Sequence, residues 1–72
     1  MKLTLYAIKH TDYSGDVMFW KADPSDNICH GDLVKDDSTF FSSKVEAESE
    51  LWYAESVYGS AGFEIVDASI EF

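Results

Sequence analysis

The sequence contains no arginine, a single cysteine and a single proline. One cysteine excludes an internal disulfide framework and a cysteine-rich zinc site. No apolar run exceeds four residues, as in Val17–Trp20, so no segment is long enough to span a bilayer. The 72 residues allow one domain, residues 1–72, with a thin core, because so short a chain buries only about 60% of its unfolded surface. Little room remains for a deep substrate pocket.

Positive charge is scarce, because five lysines face fourteen acidic residues and the formal net charge is −9. Proteins that grip nucleic acid neutralise phosphates with Lys and Arg, so this balance argues against direct nucleic-acid binding. The acids concentrate after residue 22, where twelve of them stand against two lysines. An aromatic content of 15% argues against disorder. The acidity either steers the chain towards a basic partner or only maintains solubility, and composition leaves both open.

Two β-prone runs near the start of the chain predict an antiparallel hairpin. Residues 3–10 alternate in the manner of a strand, and residues 17–22 are rich in aromatic and β-branched side chains. The intervening turn contains Gly15, which can supply a positive φ. Residues 28–35 fit either a short third strand broken by Gly31 or an ordered loop.

Residues 44–58 predict one helix. Ser43 and Glu46 fit a capping box, in which each side chain bonds the backbone N–H of the other, and Gly59 is a typical helix stop. The apolar stripe of this helix comprises Ala47, Leu51, Ala54 and Tyr58. Residues 63–72 then predict a closing strand. The predicted fold is α+β in the order β-β-(β)-α-β, with the helix packed on a three- or four-stranded antiparallel sheet.

Four residues have side chains suited to metal or nucleophile chemistry: His10, Cys29, His30 and Asp32. Tetrahedral zinc needs ligand pairs at fixed spacings, and the adjacent Cys29 and His30 rarely both turn inward. A nucleophilic pair of Cys29 and His10 would require the two residues to lie on neighbouring strands. The carboxylate pairs lack the hydrophobic enclosure that separates two pKa values. We therefore expect no metal, no cofactor and no enzymatic activity.

The aromatic side chains outnumber what so small a core can bury, and we expect the core to contain Phe19, Leu51, Tyr58 and Phe63. Trp52 projects away from the helix stripe, so it either anchors a partner or packs on residues 28–41. In the first case the partner-binding residues are Asp36, Asp37, Glu46, Glu48, Glu50, Trp52 and Glu55. Acids on a helix rising ~1.5 Å per residue approach the charge density of DNA, which has one charge per ~1.7 Å.

The segment Leu51–Tyr58, with Ala61–Ile65 after it, resembles the helix-to-last-strand segment of the short inhibitors of bacterial RNA polymerase made by short-tailed coliphages. That family has Ala-Glu-x-x-Tyr at its helix end, as in Ala54–Tyr58 here, followed by Ala-Gly-Phe-Glu-Val. The resemblance covers about residues 48–66 and implies one helix packed on a three-stranded antiparallel sheet. The arginines with which the family contacts polymerase correspond here to Asp67 and Ser69.

The leading hypothesis is a small, phage-type inhibitor of the anti-CRISPR or anti-restriction type. It would bind the basic, nucleic-acid-binding surface of a host complex and block that surface sterically and electrostatically. Inhibition of bacterial RNA polymerase is the second hypothesis, because the reversed charge at Asp67 disfavours the family's own target. A structural or assembly module, a homodimer formed through an exposed edge strand, is the third. No charged-then-apolar leader is evident, so we expect the cytoplasm of the bacterial host, with neither membrane nor nucleic acid bound directly.

Overall fold

The computed structural model describes residues 1–72 and contains one helix and six strands. The elements are β1 (Lys2–Leu3), β2 (Tyr6–Thr11), β3 (Val17–Ala22), β4 (Gly31–Val34), α1 (Lys44–Tyr58), β5 (Phe63–Asp67) and β6 (Ile70–Glu71). Four strands form an antiparallel sheet in the order β4-β3-β2-β5, and β1 pairs with β6. The helix packs on the four-stranded sheet. The predicted α+β fold is confirmed, and the third strand is real.

The first and last predicted strands are each interrupted once, although their register never changes. β2 pairs with β5 from Tyr6 opposite Asp67, and β1 pairs with β6 with Leu3 opposite Ile70. Between these ladders the backbone N–H of Leu5 donates to the Ser69 hydroxyl at 3.1 Å instead of to a backbone carbonyl. We call β1 and β6, together with Met1 and Phe72, the terminal ribbon.

The connection between β4 and α1 fills a gap in the sheet where β2 and β3 diverge. The backbone N–H of Thr39 donates to the carbonyl of Trp20 at 2.9 Å, and its hydroxyl accepts from the N–H of Ala22 at 2.8 Å. Phe41 and Tyr6 then exchange two backbone hydrogen bonds of 2.8 Å. The connection therefore acts as an inserted piece of strand, which satisfies backbone groups that the hairpin leaves unpaired.

The core lies between the sheet and α1 and is built around Trp20, whose side chain is fully buried. Its buried members are Ile8, Trp20, Leu33, Phe41, Ala47 and Ala54. The prediction that Phe19 enters this core is wrong, because successive strand residues face opposite sides and Trp20 takes the helix side. Tyr58 is exposed, and Leu51 and Phe63 are only partly buried against the core.

Gly31 begins β4 and does not break it. A Cβ atom at this position would lie 2.5 Å from the carbonyl oxygen of Lys21 and 2.6 Å from a ring carbon of Trp20. Such distances are far inside van der Waals contact. The glycine is therefore explained by the close approach of the Trp20 ring to the β4 backbone.

The helix has the predicted bounds, but its capping box is only half formed. The Ser43 hydroxyl accepts from the backbone N–H of Glu46 at 3.2 Å. The Glu46 carboxylate instead accepts from the N–H and the hydroxyl of Ser42, at 3.3 and 3.0 Å. Gly59 ends the helix with a φ of 86°, and its N–H donates to the carbonyl of Glu55. This helix is not long and apolar enough to cross a membrane.

Candidate functional site

Trp52 is the largest side chain that α1 exposes to solvent. It lies about 140° around the helix from the buried Ala47, and it is 68% exposed. Its one aromatic neighbour is Tyr53, at 5.2 Å between ring centroids. Tyr53, not Trp52, packs on the 28–41 segment, with its ring 4.4 Å from that of His30. Of the two alternatives for Trp52, the structure therefore has the exposed one.

Three further residues surround Trp52 on the outer side of α1. Glu48 precedes it by one helical turn, Glu55 follows it by three residues, and Val45 lies beyond Glu48 and is exposed. Neither carboxylate takes part in a hydrogen bond, and the molecule's two ion pairs lie elsewhere. We call Val45, Glu48, Trp52 and Glu55 the Trp52 surface. It presents an exposed aromatic ring beside two acids, both on the same flank of the helix, that have no partner within the chain.

The other two helix acids have partners inside the molecule. Glu46 accepts the hydrogen bonds of Ser42 described above. Glu50 accepts a hydrogen bond of 3.3 Å from the indole N–H of Trp20, the centre of the core. Both residues lie on the helix flank opposite that of Glu48 and Glu55. Their carboxylates therefore stabilise the fold through these hydrogen bonds.

Asp36 and Asp37 lie away from the helix acids, in the connection that follows β4. Both line an open groove of about 480 Å³ on the sheet face opposite α1. Asp37 forms an ion pair of 2.9 Å with Lys21, and this contact holds the pKa of Asp37 below its ordinary value of 3.8. Asp36 has no such partner. The seven residues predicted to bind a partner are thus divided between two faces of the molecule.

The groove is floored by the apolar side chains of the uncovered sheet face. Ala7 lies on β2, Phe19 on β3 and Val66 on β5, and Phe40 from the β4–α1 connection stands beside them. Ala7 is buried although it lies outside the main core cluster. We call this depression the sheet groove. Composition offered no sign of it, because its floor depends on which of two neighbouring aromatics, Phe19 or Trp20, faces the helix.

The candidates for metal or nucleophile chemistry are not assembled into a site. Cys29 lies just before β4, and β3 separates β4 from β2, which contains His10, so the two residues are not on neighbouring strands. The Asp32 carboxylate accepts from the Tyr58 hydroxyl, which raises the pKa of that phenol. No group of three or more His, Cys, Asp or Glu side chains is placed to hold a metal ion.

Comparisons of the chain with protein-family models, with curated proteins and with solved structures find no match.

Proposed function

We propose that this chain is a small, non-enzymatic inhibitor of the anti-CRISPR or anti-restriction type, which binds a basic, nucleic-acid-binding surface of a host complex. The observation that carries the proposal is the Trp52 surface, in which a ring 68% exposed to solvent lies beside two carboxylates free of internal partners. Exposed aromatic residues of this kind are enriched at the centres of protein interfaces.

The chemistry of the Trp52 surface suits a partner that carries lysine and arginine. The Trp52 ring supplies apolar area and can stack on a guanidinium plane. Glu48 and Glu55 then supply carboxylates to cationic side chains around it. A partner that places such cations in a groove uses them to neutralise nucleic-acid phosphates, so the inhibitor and the nucleic acid would compete for the same charges.

The net charge of −9 contributes through the field of the whole molecule. A strongly negative protein accelerates its encounter with a basic surface, and this acceleration weakens as salt is added. We assign direct contact to Glu48, Trp52 and Glu55. The remaining predicted residues contribute mainly to the field, because Glu46 and Glu50 are engaged internally and Asp36 and Asp37 lie on the other face.

The first experiment is capture of bacterial proteins on the immobilised chain at about 0.05 M and about 0.5 M NaCl. Bound proteins are identified by mass spectrometry, and a duplex DNA oligonucleotide is then added to the washed resin. We expect a nucleic-acid-binding complex that is retained at low salt and released by the duplex. Capture that resists both salt and DNA contradicts the mechanism, and recovery of RNA polymerase would favour the second hypothesis instead.

Variants of the chain then test whether the Trp52 surface makes the contact. We expect Trp52→Ala to weaken binding of the captured complex about tenfold or more, as loss of a central interface tryptophan does. The double reversal Glu48→Lys with Glu55→Lys should weaken it at least as much.

The matched control is Asp16→Lys with Glu71→Lys, which changes the net charge equally at two exposed acids outside α1. The control should slow association without abolishing binding. Equal losses in the two double variants would reduce the role of the Trp52 surface to net charge and would contradict the assignment of contact residues.

A further inference from the structure

The sheet face opposite α1 continues into the terminal ribbon, because the register is kept across the break in the ladder at Leu5. The β1–β6 and β2–β5 ladders share one register. Strand alternation therefore places odd-numbered residues of β1 and β2, and even-numbered residues of β5 and β6, on this face. In the ribbon, the residues on this face are Met1, Leu3, Ile70 and Phe72. These four apolar side chains are between 49% and 92% exposed. A single apolar stripe therefore runs from the end of the ribbon to the floor of the sheet groove.

The stripe has a projecting part and a recessed part. Lys2–Thr11 spans about 33 Å at ~3.3 Å per residue, close to the 37 Å long axis of the molecule. The ribbon occupies one end of this length. The sheet groove begins beside the ribbon, because Ala7, Val66 and Ala68 in its lining lie only two to four residues from Leu3 and Ile70. Exposed apolar side chains gathered on one face are typical of a surface that binds a partner.

Charge distinguishes this face from the rest of the molecule. Lys9 and Lys21 lie on it, and they form the molecule's two ion pairs, at 3.8 Å with Glu64 and 2.9 Å with Asp37. Lys35 and Asp36 stand together at the rim of the sheet groove. Asp67 also lines the groove, so three lysines stand against four acids and the face is nearly balanced in charge within a chain of net charge −9.

This balance indicates what covers the face. A basic partner would be drawn to the acidic outer side of α1 and would gain little from a face whose charges already pair with one another. Two copies of an acidic chain repel through most of their surfaces, and the repulsion is smallest where each copy is neutral. An apolar face with nearly balanced charge is therefore the one through which two copies repel each other least.

We propose that a second copy of this chain binds the face, forming a two-fold symmetric dimer in which the terminal ribbon of each copy seats in the sheet groove of the other. A two-fold axis in the plane of the face, crossing the stripe between the ribbon and the adjoining groove, brings each ribbon over the opposite groove. The two sheets then pack face to face, as in a β-sandwich. Both Trp52 surfaces remain on the outside.

The test measures the mass of the protein by sedimentation equilibrium from about 1 µM to about 500 µM. We expect a monomer–dimer equilibrium that strengthens with added NaCl, since salt screens the repulsion between two acidic copies. Ile70→Lys places a charge in the seated ribbon and should raise the dimer dissociation constant about tenfold or more.

The matched control is Thr4→Lys, which adds the same charge at an exposed residue that alternation places on the other face. It should leave the dissociation constant nearly unchanged. A protein that remains monomeric at the highest concentration, or a dimer equally sensitive to both variants, would overturn the proposal.

Cross-linking tests the register of the dimer without relying on a destabilising variant. Ile70→Cys and Phe40→Cys are prepared separately, each with Cys29→Ser, and one of them is labelled with ¹⁵N. Mild oxidation of the mixture should give the mixed disulfide in preference to either homodimer. A product dominated by Ile70→Cys homodimers would place two ribbons side by side and contradict the seating in the groove. Neither outcome depends on capture of a host protein, so this proposal and the proposed function fail independently.

Discussion

At the scale of single residues, the helix acids differ in whether they have a partner inside the molecule, as the buried indole of Trp20 illustrates. Trp20 is fully buried and needs an acceptor for its N–H, because an unpaired buried donor is costly. Glu50 supplies that acceptor at 3.3 Å. Glu48, two residues earlier on the same helix, has no partner. Two glutamates that look equivalent in the sequence should therefore differ in what their removal does.

We expect Glu50→Ala to lower the free energy of unfolding by about 1–2 kcal/mol, because it leaves the Trp20 N–H without its acceptor. Glu48→Ala removes the same charge and should change the stability by less than about 0.5 kcal/mol. Urea unfolding followed by tryptophan fluorescence measures both. Glu50→Gln keeps an acceptor oxygen and should restore most of the loss; equal stabilities of the two alanine variants would contradict the role given to Glu50.

The residue that the sequence placed least well is Trp20. Phe19 and Trp20 are adjacent, both are large and apolar, and strand alternation says only that they face opposite sides. Which side meets the helix depends on pairing with β2 and β4, which is not a local property. Trp52 was easier to place, because the period of α1 and the positions of Ala47 and Ala54 define the outer side of the helix.

At the scale of elements, α1 shows how far local signals reach. Its observed bounds, Lys44–Tyr58, are those predicted, because the Ser43 cap and the Gly59 stop act within one turn. β4 and the connection after it depend on distant partners instead. Thr39 forms a backbone hydrogen bond with β3, and Phe41 forms two with β2. No local sequence pattern predicts that a connection will insert between two strands in this way.

The cap provides a prediction at this scale. Ser43→Ala removes the acceptor of the Glu46 N–H and should lower the free energy of unfolding by about 1 kcal/mol. Ser49→Ala, the same substitution in the middle of the helix, removes only a hydroxyl that donates back to the carbonyl of Val45. That change should be neutral or slightly stabilising. Thermal unfolding followed by circular dichroism compares them, and a loss from Ser49→Ala equal to that from Ser43→Ala would count against the cap.

At the scale of the whole molecule, charge dominates. Fourteen acids are offset by five lysines, and only two ion pairs form. Composition alone predicts this field. It does not predict that Asp36 and Asp37 lie across the sheet from Glu48 and Glu55, because the path of the β4–α1 connection is set by its backbone hydrogen bonds to β2 and β3.

Self-repulsion gives the last prediction. Raising NaCl from about 0.01 M to about 0.5 M shortens the Debye length from ~30 Å to a few ångströms. The folded state concentrates negative charge more than the unfolded chain does, so the melting temperature should rise with salt. Differential scanning calorimetry at low protein concentration measures this rise without a contribution from dimer formation. A melting temperature that falls with salt would mean that attractive charge pairs outweigh repulsion.

The pairing of β2 with β5 also governs the order in which the molecule can assemble. A central strand formed by residues 6–11 has one neighbour nearby in sequence, β3, and another at residues 63–67. A chain emerging from the ribosome therefore cannot complete its sheet until β5 has left the exit tunnel. The closure of so long a loop places this fold among the slower ones for its size. Until that moment β2 exposes a free edge, and synthesis stalled before residue 63 should produce a species that aggregates rather than one that is partly active.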